Sequence, residues 1–412
     1  MTRNLTVSKA RIASDIDALA ALTEPDRPYT RRAFTPMFLR GRAYLEAQFR
    51  AAGLETRIDP FGNLIGLRRG KGEKGAIMLG SHSDTVPNGG RFDGVAGVIV
   101  ALEVARTLND AGVALQHDLE VVDFLAEEVS IFGVSCIGSR GMLGLRPPEW
   151  LAREADGRTL ADCLREVGGD PAIADMRKDI RAFLELHIEQ GPILETENIP
   201  IGVVTAIAGI TRIEIVVEGR ADHAGSTPMT GRRDALAAAA RLVLGVERLA
   251  REIAAGPAHF AATVGEFAME PNAANVVPSR VRMLIDARAE APADMTRFQS
   301  LLAGLCEAAV TATGVTIATP KTISNNPAMP MASSVVETIE RSAGALGLRS
   351  RRMASGAGHD AAFLARQAPA GMIFVPCREG RSHAPDEWAE IDDIALGAEV
   401  AYLSVMELDR TA

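Results

Sequence analysis

Seven histidines occur in the 412-residue sequence, and three of them, His82, His187 and His383, sit at or just beyond the ends of apolar runs that read as buried strands. The first lies in Gly80-Ser-His-Ser-Asp-Thr-Val-Pro-Asn-Gly-Gly-Arg-Phe-Asp-Gly94, which places Asp84 and Asp93 near it among turn formers. A further apolar run, Asp118-Leu-Glu-Val-Val-Asp-Phe-Leu125, delivers the pair Glu127-Glu128. A turn-rich loop or a solvated acid pair would each be ordinary alone, but four such clusters at strand ends are not. Imidazole and carboxylate donors without cysteine suit zinc, and also manganese, cobalt or nickel. Two ions about 3.5–4 Å apart need a bridging ligand and about two further protein ligands each. His82, Asp93, Glu128, His187 and His383 supply that number, with Asp93 as the bridge. Glu127 stands beside a ligand but is left free, so it can take a proton from the attacking water.

The elements that must position these residues follow from hydrophobic periodicity. Residues 10–53 read as two amphipathic helices, with Ile12, Ile16 and Leu19 at helix spacing in the first. Leu54–Ile58 and Asn63–Leu67 read as strands around an Asp59-Pro-Phe-Gly62 turn, and 94–110 as an apolar helix. Strands near 75–79, 118–125, 182–187 and 371–376 alternate with helices, the pattern of an α/β fold with a largely parallel sheet. In such a sheet the C-terminal strand ends line one edge, where ligands bind. Near Gly209 the texture changes. A strand at 213–219, a helix at 232–254, strands at 260–269 and 280–288, a helix at 292–313 and a strand at 315–320 give β-α-β-β-α-β, the ferredoxin-like order. The chain therefore divides into 1–209 with 326–412, and an inserted α+β domain at 210–325.

Charge and composition exclude several function classes. The net charge of −9 and an aromatic content of 4% disfavour a nucleic-acid partner or an anionic membrane surface. No apolar run reaches bilayer length, and Met1–Lys9 lacks an apolar core of signal-peptide length, so a cytoplasmic location is expected. Cys136, Cys163, Cys306 and Cys377 are widely spaced and form neither a zinc knuckle nor a disulfide framework.

The motifs together resemble the carbamoylase/allantoate amidohydrolase family of di-zinc hydrolases, relatives of aminoacylase-type metallopeptidases. They are the Gly80–Gly94 stretch, Ala126-Glu-Glu128 with Phe132-Gly-Val-Ser135, Gly138-Ser-Arg140 and Leu186-His-Ile-Glu-Gln-Gly191. His223-Ala-Gly-Ser-Thr-Pro-Met229, Arg232-Arg-Asp234, Asn275-Val-Val-Pro278, Asp286-Ala-Arg288, Ser355-Gly-Ala-Gly-His-Asp360 and Ser382-His383 follow in family order. The resemblance implies one metal on His82, Asp93 and His187 and a second on Asp93, Glu128 and His383. It makes Glu127 general base and then general acid, and lets Asp84 orient the His82 ring. It further implies that His223 stabilises the oxyanion, reaching into a partner subunit's site, and that Asn275 and Arg288 hold the substrate carboxylate. Gln190 and His359 would line the same pocket. The inserted domain would be the lid and the homodimer interface.

Two stretches depart from the family pattern beside the site: Val129-Ser-Ile131 after the acid pair, and Cys377-Arg-Glu-Gly-Arg381 before the last histidine. The ligands stand, but the substrate is left open. The expected reaction is hydrolysis of a C–N bond in a small carboxylate-bearing ureido or amide compound. An N-carbamoyl-L-amino acid comes first, allantoate second, and an N-acyl amino acid of the aminoacylase or peptidase type third.

Overall fold

Local side-chain chemistry fixes the first elements of the chain. Ser8 and Thr35 cap the helices Lys9–Ala21 and Pro36–Ala51, each hydroxyl accepting from the N–H of Arg11 or Phe38. The Asp59 carboxylate accepts from the N–H groups of Phe61 and Asn63, closing the turn between the strands Glu55–Ile58 and Leu64–Arg68. This computed structural model describes residues 7–72, 74–174 and 176–411. Residues 1–6, part of the stretch from which the lack of an export leader was read, lie outside the described residues.

The nine-stranded sheet of the first unit runs in the order 55–58, 64–68, 118–124, 76–82, 180–188, 370–375, 201–207 and 329–330, with 350–355 also beside 201–207. Ala76–His82 is parallel to both Asp118–Phe124 and Ile180–Ile188, and Ala370–Val375 is parallel to Ile180–Ile188. These four strands form the parallel centre. The expectation of a largely parallel sheet needs correction at its edges. The short turn at Asp59 can join its two strands only antiparallel, Leu64–Arg68 then pairs antiparallel with Asp118–Phe124, and Ile201–Ile207 runs antiparallel to Ala370–Val375. The central strand Ala76–His82 is buried along its whole length, as a strand covered on both faces must be. Helix Val95–Asp110 packs on it and is itself covered by Ile391–Thr411. Thirteen of its residues are accordingly buried, far more than one amphipathic stripe.

The described residues up to Thr205, with Pro330–Met353 and those from His359 on, form this first compact unit, and Ala206–Met329 with Ala354–Gly358 form a second. The expected borders, 1–209 with 326–412 and 210–325, differ by a few residues and did not include the Ala354–Gly358 segment. The second unit is an antiparallel sheet in the order 260–270, 280–289, 209–218 and 316–317, with 321–326 also pairing 209–218. Of the strand expected at 315–320 only Thr316–Ile317 forms, and a separate strand, Lys321–Asn326, begins after Pro320, which has no N–H to give a ladder. Helices Ala235–Ala254 and Pro292–Thr313 pack on the sheet and on each other. Ala235, Ala238, Ala239, Leu242, Val246, Leu249 and Ile253 recur at helix spacing to face Ile213, Ile215, Val217, Met283 and Ile285 in one core. No helix among the described residues is long and apolar enough to cross a membrane.

Candidate metal centre

The parallel centre gathers its ligands as strand geometry requires. His82 is the last residue of its strand, in register with Phe124, and His187 pairs with Phe374 near the end of the next two. Glu127-Glu128 and His383 stand on the loops that leave two of these strands at the same edge. Asp93 stands just before Gly94, the N-cap of the helix Val95–Asp110, whose N-terminal end favours a negative charge. Gly94 between them has φ 64°, a left-handed conformation, and a Cβ there would lie 2.4 Å from the His82 ring.

Two triplets of ligand atoms each lie within 4.8 Å of one another: His82, Asp93 and His187, and Asp93, Glu128 and His383. Asp93 belongs to both. Its Oδ1 is 3.0 Å from His187 Nε2 and its Oδ2 is 3.0 Å from His383 Nε2, which also stands 3.0 Å from Glu128 Oε1. His82 Nε2 is 3.9 Å from Asp93 Oδ1 and 3.6 Å from Glu127 Oε2.

The ring tautomers test whether a cation fits. His187 Nδ1 lies 2.9 Å from the Ile188 carbonyl and His82 Nδ1 lies 3.0 Å from the Asp84 carbonyl. A carbonyl only accepts, so both rings carry a proton on Nδ1 and turn Nε2 toward the Asp93 carboxylate, where the neutral ring has a lone pair to offer a divalent cation. The donor set is nitrogen and oxygen only, as zinc, manganese, cobalt or nickel accept. A third grouping, Glu185, His187 and His359, shares His187. Both nitrogens of that ring are already committed, and Glu185 accepts from Ser81 Oγ and the Ala361 N–H. It therefore serves as internal support.

Asp84 lies against the His82 ring it is expected to orient. The atom within hydrogen-bond distance of the His82 ring is its main-chain oxygen, whereas its carboxylate Oδ1 is 3.5 Å from Nδ1 and accepts the Glu127 N–H at 3.2 Å. The side chain thus fixes the backbone of Glu127 while the main chain fixes the ring. Glu127 is buried, joins neither triplet, and accepts a weak bond from the Cys136 thiol at 3.6 Å. Burial pushes its carboxyl well above the usual range, His82 pulls it back, and Glu128, Asp360 and Asp84 add to the rise. Ala126, Gln190 and His383 all adopt positive φ near 55°. Such conformations cost ~1–3 kcal/mol each and concentrate at functional sites.

Gln190 donates to Ser382 Oγ at 3.0 Å and toward Asp93 Oδ2 at 3.4 Å. Its buried Oε1 has no hydrogen-bond partner among the described residues. His359 stacks edge-on against His187 with ring centroids 4.5 Å apart.

His223, Asn275 and Arg288 belong to the second unit. The His223 strand segment bridges Val276, and Ala224 donates its N–H to the Asn275 carbonyl, so His223 and Asn275 lie side by side. His223 Nδ1 accepts from the N–H groups of Gly225 and Ser226, both at 3.1 Å. The proton is therefore on Nε2, which makes exposed His223 a neutral donor. Arg288 donates to Asp286 Oδ1 and to the Gly356 carbonyl at 2.8 Å.

Sequence reasoning passed over Glu387 and gave Ser382 no role beyond its place in a motif. Glu387 is 1% exposed, and Ser382 Oγ donates to it at 2.7 Å. Nothing in the acid-rich run Asp386-Glu387-Trp388-Ala389-Glu390 marks one carboxylate as buried.

The sequence profile of peptidase family M20/M25/M40 matches residues 78–407. An N-carbamoyl-L-amino-acid amidohydrolase from Paenarthrobacter aurescens is 39% identical over 417 residues, covering 98% of this chain and 100% of that protein. A ureidoglycolate hydrolase from Oryza sativa subsp. japonica is 37% identical over 410 residues, covering 95% of this chain and 83% of that one. The crystal structure of a hydantoinase/carbamoylase family amidase from Burkholderia multivorans is similar with TM-score 0.90 and 34% identity, over 98% of this chain and 99% of that chain.

Proposed function

The chain belongs to peptidase family M20/M25/M40, alongside the hydantoinase/carbamoylase amidases, as a metal-dependent hydrolase of C–N bonds, and on that premise we propose that it hydrolyses N-carbamoyl-L-amino acids with two divalent ions. The observation that carries the two-ion reading is Asp93, whose two oxygens each face a different histidine at 3.0 Å. His82, Asp93 and His187 hold one ion, and Asp93, Glu128 and His383 the other, with zinc the first choice. When bound, such ions polarise the scissile carbonyl and make water acidic near neutral pH.

The chain's own residues do the rest. Glu127, anchored through its N–H to Asp84, takes the proton of the attacking water and returns it to the leaving nitrogen. His223 offers Nε2–H to the carbonyl oxygen as that atom gains charge. Asn275 and Arg288 hold the substrate carboxylate, for which a guanidinium fork is the matching group. Gln190 Oε1, a free acceptor, meets an N–H of the ureido group, and His359 walls the pocket. The 210–325 region acts as lid and homodimer interface, and His223 enters the partner's site. Four buried, unpaired cysteines accord with a reducing cytoplasm.

The similarity to a plant ureidoglycolate hydrolase supports a second reading, a smaller ureido acid, with allantoate and N-acyl amino acids behind it. The deciding assay offers metal-stripped and zinc-, manganese- or cobalt-loaded enzyme a panel of these compounds. Release of ammonia and free amino acid from N-carbamoyl-L-amino acids is expected. Turnover confined to N-acyl amino acids, without ammonia, would overturn the assignment.

A further inference from the structure

We infer that Glu387 is a positioning residue that brackets the two loops carrying Asp93 and His383, and so sets the spacing on which the second ion depends. This rests on the two-ion reading above.

His383 needs such a device. It sits on the loop after Ala370–Val375 with its side chain 49% exposed, while Glu128 and Asp93, its neighbours in the triplet, are buried. No strand or long helix holds it. Glu387 reaches both sides of the gap. Its Oε1 accepts from the N–H groups of Phe92 and Asp93 at 2.8 and 3.0 Å, and its Oε2 accepts from Ser382 Oγ at 2.7 Å. One carboxylate thereby clamps the backbone of the bridging acid and the residue immediately before His383.

The neighbouring contacts repeat the connection. Phe92 and Trp388 meet edge to face at 5.5 Å, and the Arg91 guanidinium lies 5.2 Å from the Trp388 ring. Gly90 leaves room for the carboxylate, since a Cβ there would fall 1.9 Å from Glu387 Cδ. Residues 90–93 and 382–388 are thus joined along their length: the Glu387 carboxylate binds two main-chain N–H groups of the first and the Ser382 hydroxyl of the second, and that hydroxyl also lies 3.4 Å from Asp93 Oδ2. Partners behind metal ligands commonly govern affinity in this way.

The test titrates zinc and cobalt into metal-stripped protein against a chromophoric chelator, with metal content read separately. Wild type should bind two ions. Glu387→Ala should keep the first and weaken the second by about 10–100-fold. Glu387→Gln should recover most of that loss, because its Oε1 still accepts from Phe92 and Asp93. Two ions bound by Glu387→Ala as tightly as by wild type would overturn the inference. Should Glu387→Ala fail to fold, Glu387→Asp decides, because a carboxylate drawn back by one methylene keeps its charge but cannot reach both Ser382 and the Phe92 and Asp93 N–H groups. Selective weakening of the second ion then supports the bracket, and unchanged binding refutes it. A wild-type protein that binds a single ion would instead sink the two-ion reading, and the bracket with it.

Discussion

His383 Nε2 stands 3.0 Å from Asp93 Oδ2, yet the His383 side chain is 49% exposed and that of Asp93 only 6%. One end of the contact is set in the interior and the other is open to water. His82 and His187, on the other oxygen of Asp93, are both buried. The two candidate positions are therefore unequal by construction.

Chelation should remove the ions in order. The Asp93–Glu128–His383 position is expected to empty first, leaving an intermediate with one ion. His383→Ala should retain one equivalent by elemental analysis, whereas Asp93→Ala should lose both. Simultaneous loss of both ions at every chelator concentration would contradict this asymmetry.

Glu127 makes no contact that the triplets need. Glu127→Gln should keep wild-type metal content while kcat falls by about 10²–10⁴-fold, the usual worth of a general acid–base. Near-normal turnover in this variant would remove Glu127 from the proton-transfer role.

His223→Ala should lower kcat by about 10²–10³-fold without altering metal content, as loss of an oxyanion donor does. If the donor serves the partner's site, mixing His223→Ala with Glu127→Gln subunits restores activity. Each hybrid dimer then contains one site with both intact groups. Absence of recovery after subunit exchange would place His223 in its own subunit's site.

Gly94→Ala should impair metal binding without touching a ligand. The methyl group would meet the His82 ring at 2.4 Å, and φ 64° strains any side chain. Metal affinity, measured beside a circular dichroism spectrum of the folded protein, should fall. Unchanged affinity would show that the ring can shift and still bind.

Cys377 answers a question left by its place beside the last ligand loop. Burial pushes its thiol up to about 12, and burial likewise raises Cys306 to about 11. Both stay protonated at neutral pH and so remain poor nucleophiles. A thiol reagent at pH 8 should leave them unmodified in native protein and label them after denaturation. Rapid native labelling of Cys377 would mark it as a reactive residue.

The chemistry-bearing residues and their approximate places were legible because they depend on local patterns. Apolar runs mark strands, a parallel centre brings their ends to one edge, and the groups that follow them are written in order. The strand break at Pro320 and the antiparallel edge at the Asp59 turn are also local effects, readable from proline and a short connection. What the tertiary structure decided is which atom of each residue acts. Asp84 supports His82 through its carbonyl and Glu127 through its carboxylate. The tautomers of His82, His187 and His223 follow from main-chain groups brought against them. Glu387 looks in sequence like any acid of an acidic loop. Only its burial against Phe92, Asp93 and Ser382, residues far apart in the chain, makes it a clamp, because hydrogen bonds between distant segments leave no periodicity to read.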